Sequence, residues 1–162
     1  MLLKNTNVID NDKLISYNNS AKAESEVKNM IDLHPTKCNI CGGHVVLKKV
    51  EQIYGKKNIK FKTSGYCYYC EECGAVVGTH KDRPDEALGI LADKEMCEMR
   101  QKSHKMFDNL WKGKEQRTQM YQKLADELGI PFEECHFAYF DKEQLSKIDS
   151  ILVKLWREKY DK

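Results

Sequence analysis

The chain has 162 residues, about the length of one ordinary domain, with 41% apolar and 32% charged residues and a formal net charge of +2. One modest core fits that composition, no apolar run approaches the ~20 residues needed to cross a bilayer, and the start MLLKNTNVIDND lacks the apolar stretch of a secretory signal. A membrane span and export are therefore excluded, the expected compartment is the cytoplasm, and the seven cysteines point to metal or thiol chemistry before disulfides.

Residues 1–35 form an N-terminal extension rich in Asn, Ser, Lys and Asp, with too few apolar side chains early on to offset the entropy of ordering. Within it the pattern predicts a short helix capped by Ser20, with Val27, Met30 and Ile31 on one face and Pro35 as its stop.

Residues 36–80 change character. Short β-type stretches at His44–Lys49, Lys60–Thr63 and Tyr66–Tyr69 are punctuated by Gly42–Gly43, Gly55, Gly65 and Gly74, as in hairpins. Two segments nearly repeat each other, Cys38-Asn39-Ile40-Cys41-Gly42 and Cys70-Glu71-Glu72-Cys73-Gly74. A two-residue gap lets both thiolates of a pair face one ion, with N–H groups of the turn aimed at the sulfurs. The following glycine takes a positive φ that a Cβ would resist. Two such knuckles predict one closed tetrahedral Zn2+ site of four thiolates, structural because no position is left for water. Cys67 also forms C-x-x-C with Cys70. Only Cys70 and Cys73 carry the trailing glycine, so that pair is preferred, and Cys67 reads as a small buried strand residue.

This same segment is basic. Seven lysines stand against three glutamates, an excess of +4, whereas 1–35 and 81–162 each come to −1. Tyr54 and Tyr68 are interleaved with Lys48, Lys49, Lys56, Lys57, Lys60 and Lys62, which suits phosphate contact by the amines and base stacking by the rings. DNA or RNA is therefore one expected partner. Strand lysines also guard exposed edges, and a small ribbon uses aromatics in its own core.

From residue 85 to 162 the text is helical. Asp93 caps a helix through Met96, Arg100, His104, Phe107 and Trp111 that Gly113 should end. A second helix carries Met120, Tyr121, Leu124, Ala125 and Leu128, closed by Gly129-Ile130-Pro131 in the manner of a Schellman stop. Asp141 and Gln144 form a capping box for a third, whose apolar face is Leu145, Ile148, Leu152, Leu155 and Trp156. Three such helices make a small bundle packed on the ribbon. The expected fold is α+β: a four-cysteine zinc ribbon of β-hairpins followed by a three-helix bundle.

Other chemistry-bearing residues give weaker patterns. His44, His80, His104, Cys97 and the pair Cys135–His136 have no local spacing that makes a second metal site. Arg100, His104, Asp108, Arg117, Tyr121 and His136 either converge in a cleft able to bind phosphate or move a proton, or satisfy one another, as Asp108 and Arg117 would across the turn after Gly113. An enzyme reading needs His104, Asp108 and His136 around an open pocket. An adaptor reading, in which the chain binds a protein partner, rests on Met106, Phe107, Trp111 and the Trp156–Tyr160 region.

A wider set of residues carries a family likeness. Cys70-x-x-Cys73-x-Ala75-x-Val77-Gly78-x-His80, Leu88-Gly89-x-Leu91-Ala92-Asp93, Arg100-x-x-x-His104-x-x-Phe107-Asp108-x-Leu110-Trp111, Arg117-x-x-x-Tyr121-x-x-Leu124-Ala125, Leu128-Gly129-Ile130 and Cys135-His136 together resemble an uncharacterised zinc-finger-containing domain family of bacterial and phage genomes. The resemblance spans roughly residues 36–150. It implies a four-cysteine site with Cys70 and Cys73 as the second pair, and a helical part belonging to the same unit. It brings no settled activity.

Overall fold

The computed structural model describes residues 31–56 and 64–161. The leader helix expected after Ser20 lies almost wholly outside this range, and its described end at 31–35 is not helical. The expected strand Lys60–Thr63 also lies outside. In order, the elements are β1 (Val45–Lys49), α1 (Val50–Tyr54), β2 (Tyr66–Cys70), β3 (Val76–Gly78), α2 (Lys94–Asp108), α3 (Gly113–Leu128), a 3-10 turn at Phe132–Glu134, and α4 (Lys142–Tyr160).

The β-branched and aromatic runs VVLKK and YCYYC pair antiparallel, with Val45 opposite Cys70 and Lys49 opposite Tyr66. β3 joins the other edge of β2, with Tyr69 opposite Val76. Because side chains alternate across a strand, Val45, Tyr68, Cys70 and Val77 share one buried face. Ala75, Ala87 and Leu91 close a small core over it. Val46, Lys48, Cys67 and Tyr69 occupy the opposite face. Where hairpin was expected after Lys49, the chain instead winds the short helix α1. The Gln52 side chain accepts from the Lys49 N–H at 2.9 Å, and Gly55 at φ +74° ends the turn.

The three long helices bury one core containing Phe107, Leu124, Phe140, Leu145, Ile148 and Leu152. Asp93 caps α2 as expected, accepting from the Met96 N–H at 2.8 Å. The helix stops earlier than its pattern suggests. The Asn109 and Leu110 N–H groups fold back to the Met106 and Phe107 carbonyls (3.3 and 2.9 Å), which turns Leu110 into the core. Gly113, at φ +78°, therefore opens α3 and does not close α2. Gly129 does end α3 in a Schellman turn, with the Ile130 N–H on the Ala125 carbonyl at 3.1 Å and the Gly129 N–H on Asp126 at 3.2 Å. The Asp141–Gln144 capping box starts α4. Trp156 departs from its expected face: Leu145, Ile148, Leu152 and Leu155 are buried, while Trp156 is 47% exposed.

Ribbon and bundle meet along the segment before α2. The Ile90 N–H donates to the Ala138 carbonyl at 3.1 Å. Arg100 reaches back from α2 to the Ile90 carbonyl (3.2 Å) and across to the Phe140 carbonyl (2.9 Å), and burial lowers its pKa. Gly89 lies against the Ala138 backbone so closely that an added Cβ would overlap the carbonyl oxygen and stand 2.6 Å from the carbonyl carbon. Backbone meets backbone there, so neither side can yield cheaply. Gly89→Ala should cost about 2 kcal/mol or more, read as a lower urea midpoint.

Asp93 is held below its usual pKa by the Met96 N–H and then by Lys142, 2.9 Å away. A lowered carboxylate stabilises the fold above its unfolded pKa of about 3.9 and ceases to do so as pH falls through the folded value. Asp93→Ala should therefore cost about 1 kcal/mol at neutral pH. In acid denaturation below about pH 4 the gap between variant and parent should narrow.

Candidate metal centre

The two cysteine turns are built alike. In the first, the Cys38 N–H donates to the Gly43 carbonyl and the Gly42 N–H to the Cys38 carbonyl, both at 2.9 Å. In the second, the Cys70 N–H donates to Ala75 at 2.9 Å and the Gly74 N–H to Cys70 at 3.0 Å. Gly42 and Gly74 both stand at φ +75°, the conformation for which the trailing glycine was read. β1 leaves the first turn and β2 runs into the second, so the Val45–Cys70 pairing sets the turns side by side.

Four sulfurs then share one point. The Sγ atoms of Cys38, Cys41, Cys70 and Cys73 all lie within 4.8 Å of one another. Cys38 to Cys73 is 3.7 Å and Cys41 to Cys70 is 3.5 Å. A tetrahedron of sulfurs with Zn–S bonds of about 2.3 Å has edges of about 3.8 Å, so the cluster fits a zinc ion. Each sulfur also meets backbone N–H groups of its own turn. Ile40 donates to Cys38 at 3.4 Å and Gly43 to Cys41 at 3.3 Å. Cys70 accepts from Cys73 and Glu72, and Cys73 accepts from Ala75.

These contacts divide the thiols. The Cys73 and Glu72 N–H groups lower Cys70 to about 7. Cys73 also accepts an N–H, from Ala75, yet desolvation and the neighbouring thiols push it up to about 12. One thiolate forms readily in such a cluster and the fourth does so only at great cost, because like charge accumulates. A dication reverses that cost. The donor set is four soft sulfurs with no open position, which suits structural zinc.

Cys67 is not part of the cluster. It is buried on β2, and desolvation raises its pKa. Of the two readings of the second knuckle, Cys67/Cys70 and Cys70/Cys73, it is the sulfurs of Cys70 and Cys73 that stand in the cluster. Among the described residues no other group of three His, Cys, Asp or Glu ligand atoms comes together. Cys135 is buried in the bundle core and pushed up to about 12 by desolvation. His44 lies 3.1 Å from Glu71, and His80 is half-buried.

The basic and aromatic residues divide. Lys48 sits over the Tyr69 ring at 4.9 Å, with its amine 3.2 Å from Glu71. Lys49, Tyr54 and Lys56 are exposed. Lys57, Lys60 and Lys62 lie outside the described residues. Tyr68 does not stand where a base-stacking ring would: it is 7% exposed, packs in the ribbon core, and donates its hydroxyl to the Asp85 carbonyl at 2.6 Å. The alternating pattern that placed aromatics among lysines put this one on the inner face.

One residue with structural weight had no sequence signal beyond its place in the knuckle. Asn39 donates to the Leu91 carbonyl at 3.1 Å and accepts from the Leu91 N–H at 3.0 Å. Its side chain imitates one rung of a β-ladder and ties the first cysteine turn to the segment that leads into α2.

Fold and centre together define a small zinc-binding protein of α+β architecture with one structural zinc site. The profile of a zinc-finger-containing domain of uncharacterised function matches residues 34–156, and the chain belongs to that family. No curated protein and no solved structure matches the chain.

Metal analysis should find one zinc per chain. Cys38→Ser or Cys73→Ser should abolish stoichiometric zinc and loosen the ribbon, seen as lost amide dispersion for residues 38–78, while Cys67→Ala should keep its zinc.

Proposed function

We propose that Cys38, Cys41, Cys70 and Cys73 ligate the zinc, and that the ribbon so held is a non-catalytic nucleic-acid contact surface of a cytoplasmic accessory protein. The observation that supports this reading is the +4 excess of residues 36–80 in a chain of net charge +2. Lys49, Lys56 and Tyr54 are exposed on the β1–α1 side, and Tyr69 beneath Lys48 takes the place that Tyr68 cannot fill. Lys48 is partly offset by Glu71. Lys57, Lys60 and Lys62 enter through their place in the sequence. Lysines fixed by a rigid metal ribbon neutralise phosphates with little ordering entropy, and an accessible ring adds stacking that tolerates any base.

A second reading is favoured by one surface. Met106, Asn109, Leu152, Val153 and Trp156 line an open apolar groove of about 260 Å³ between α2 and α4. Tyr160 stacks on Trp156 with ring centroids 4.9 Å apart. This face suits a protein partner, as in a phage or mobile-element factor that modulates a host protein. Phe107 drops out of the adaptor face, being fully buried.

Binding of the full zinc-loaded chain to labelled single strands and duplexes, followed from ~50 mM salt upward, tests the first reading. The expected result is a linear loss of log affinity with log salt, shallower by about one for each lysine among Lys48, Lys49 and Lys56 changed to Gln, with zinc content unchanged. No measurable binding at ~50 mM salt to any of these ligands would falsify it.

A further inference from the structure

A second cluster of polar side chains stands on the bundle, away from the cysteines. Asp108 was expected to pair with Arg117. Instead it lies 2.9 Å from Nδ1 of His104, four residues back on α2. His104 and Asp108 are each 45% exposed, so this pair faces solvent. The His104 ring packs on Phe137, with centroids 4.9 Å apart. That contact and the Asp108 bond fix the imidazole at both its face and its Nδ1 edge, and Nε2 has no partner among the described residues.

Arg117 is left without its expected carboxylate. No Asp or Glu among the described residues lies within ion-pair distance of it. Its guanidinium lies over the Tyr121 ring at 4.8 Å and near the Trp111 ring at 5.7 Å. One of its N–H groups also meets the Tyr121 hydroxyl, which leaves the remaining N–H groups of the fork for a planar or tetrahedral oxyanion. His136 is the third member. Its ring is 6.2 Å from Tyr121 and 4.9 Å from Tyr139, and its nitrogens have no partner among the described residues. Tyr121 and Phe137, which lie 6.4 Å apart, join the three groups through a single aromatic platform.

Arg100 is not part of this cluster, because its N–H groups are spent on the Ile90 and Phe140 carbonyls. The enzyme reading of His104, Asp108 and His136 gains a fixed His–Asp pair and nothing that supplies a reacting centre. What the groups share is a means to donate: an arginine fork over an aromatic ring, a His104 that gives its Nε2–H once the ring is protonated beside Asp108, and the single N–H of a neutral His136. We propose that Arg117, His104 and His136 form a phosphate-binding site on the bundle, with Asp108 as the positioning residue for His104. The ligand chemistry is a phosphate group, carried either by a free phosphomonoester or by a nucleic-acid backbone. The site uses none of the ribbon lysines and does not require the function proposed for them.

Charge near the site fits this assignment. The Asp108 carboxylate is engaged on the His104 side, so Arg117 supplies an undivided positive charge on the other. Desolvation lowers His136, and Arg117 adds to that lowering. An anion bound at Arg117 would offset the second effect.

The test uses the full zinc-loaded chain and the side-chain NMR signals of its five histidines. Inorganic phosphate, a nucleoside monophosphate and a short oligonucleotide are titrated separately. Saturable shifts of His104 and His136 are expected with each ligand, with His34, His44 and His80 unmoved by inorganic phosphate and the monophosphate. Arg117→Gln should weaken the response at least ~10-fold, since a charge-assisted pair is lost, and Arg117→Lys should restore only part of it. Asp108→Asn should change the His104 response more than that of His136, which loss of general packing would not do. Tighter binding of the oligonucleotide, read at the His104 and His136 signals, assigns the phosphate to a nucleic-acid backbone, and tighter binding of the monophosphate at the same signals to a free ester. Unmoved His104 and His136 signals with all three ligands, or identical titrations of parent and Arg117→Gln, overturn the site. Failure here leaves the ribbon reading standing, because Arg117 and the histidines take no part in it.

Discussion

Four sulfurs must stand within bonding reach of one point, and the ribbon is organised by that requirement. Its own apolar core consists of Cys38, Val45, Tyr68, Cys70, Ala75, Val77, Ala87 and Leu91, so two of its eight members are themselves cysteines of the cluster. So small a core offsets little chain entropy. Drawing four thiols together without an ion makes the balance worse, since each added thiolate repels those already formed. An ion reverses the sign of that contribution and makes its binding free energy part of the folding free energy. Both cysteine turns are accordingly prepared for it, with matching backbone bonds, matching glycine conformations and N–H groups that face the sulfurs.

The same constraint reaches the helices through short links. Asn39 sits between two cysteines of one knuckle and clamps Leu91. One residue earlier, Ile90 bonds to Ala138, and its carbonyl accepts from Arg100 on α2. Arg100 then holds Phe140 just before α4 begins. Its charge is met by two carbonyl dipoles with no carboxylate, and Nε has no partner among the described residues. Such a residue adds little net stability and much geometric definition, because each donor accepts only one arrangement of the segments it joins. Placement of the helices thus follows from where the metal turn lies.

Much of this was legible in the sequence because the signals were local. C-x-x-C-G twice, Asp-x-x-Gln before α4 and Gly-Ile-Pro after α3 each specify their own backbone within a few residues. Where the reading missed, a distant partner decided. Gly113 looked like a stop because nothing local shows Leu110 turning into the core and ending α2 three residues sooner. Val50–Tyr54 carries strand-forming residues and still coils, with Gln52 satisfying a backbone N–H that a continuing strand would have used. Tyr68 and Tyr69 are adjacent and chemically alike, and register alone sends one inward and the other beneath Lys48. Of the cluster on the bundle, sequence spacing showed that His104 and Asp108 share a helix face. It did not show that this pairing would leave Arg117 over.

That leftover arginine bears on how a nearly neutral protein presents charge. Lys102 is held by Asp149, Lys154 by Glu127, Lys142 by Asp93 and Glu95, and Lys48 in part by Glu71. Net charge counts all of these and describes none of the surface a ligand meets. Exposed ion pairs contribute little stability, but they mask the lysines they hold. A ligand phosphate therefore finds its partners among the cations that the fold has left without a carboxylate, and an arginine held by two rings and the Tyr121 hydroxyl needs little reorganisation to receive one. Selection by omission of a carboxylate, with positive charge held constant, accounts for a focused anion site in a chain whose total charge would not draw one.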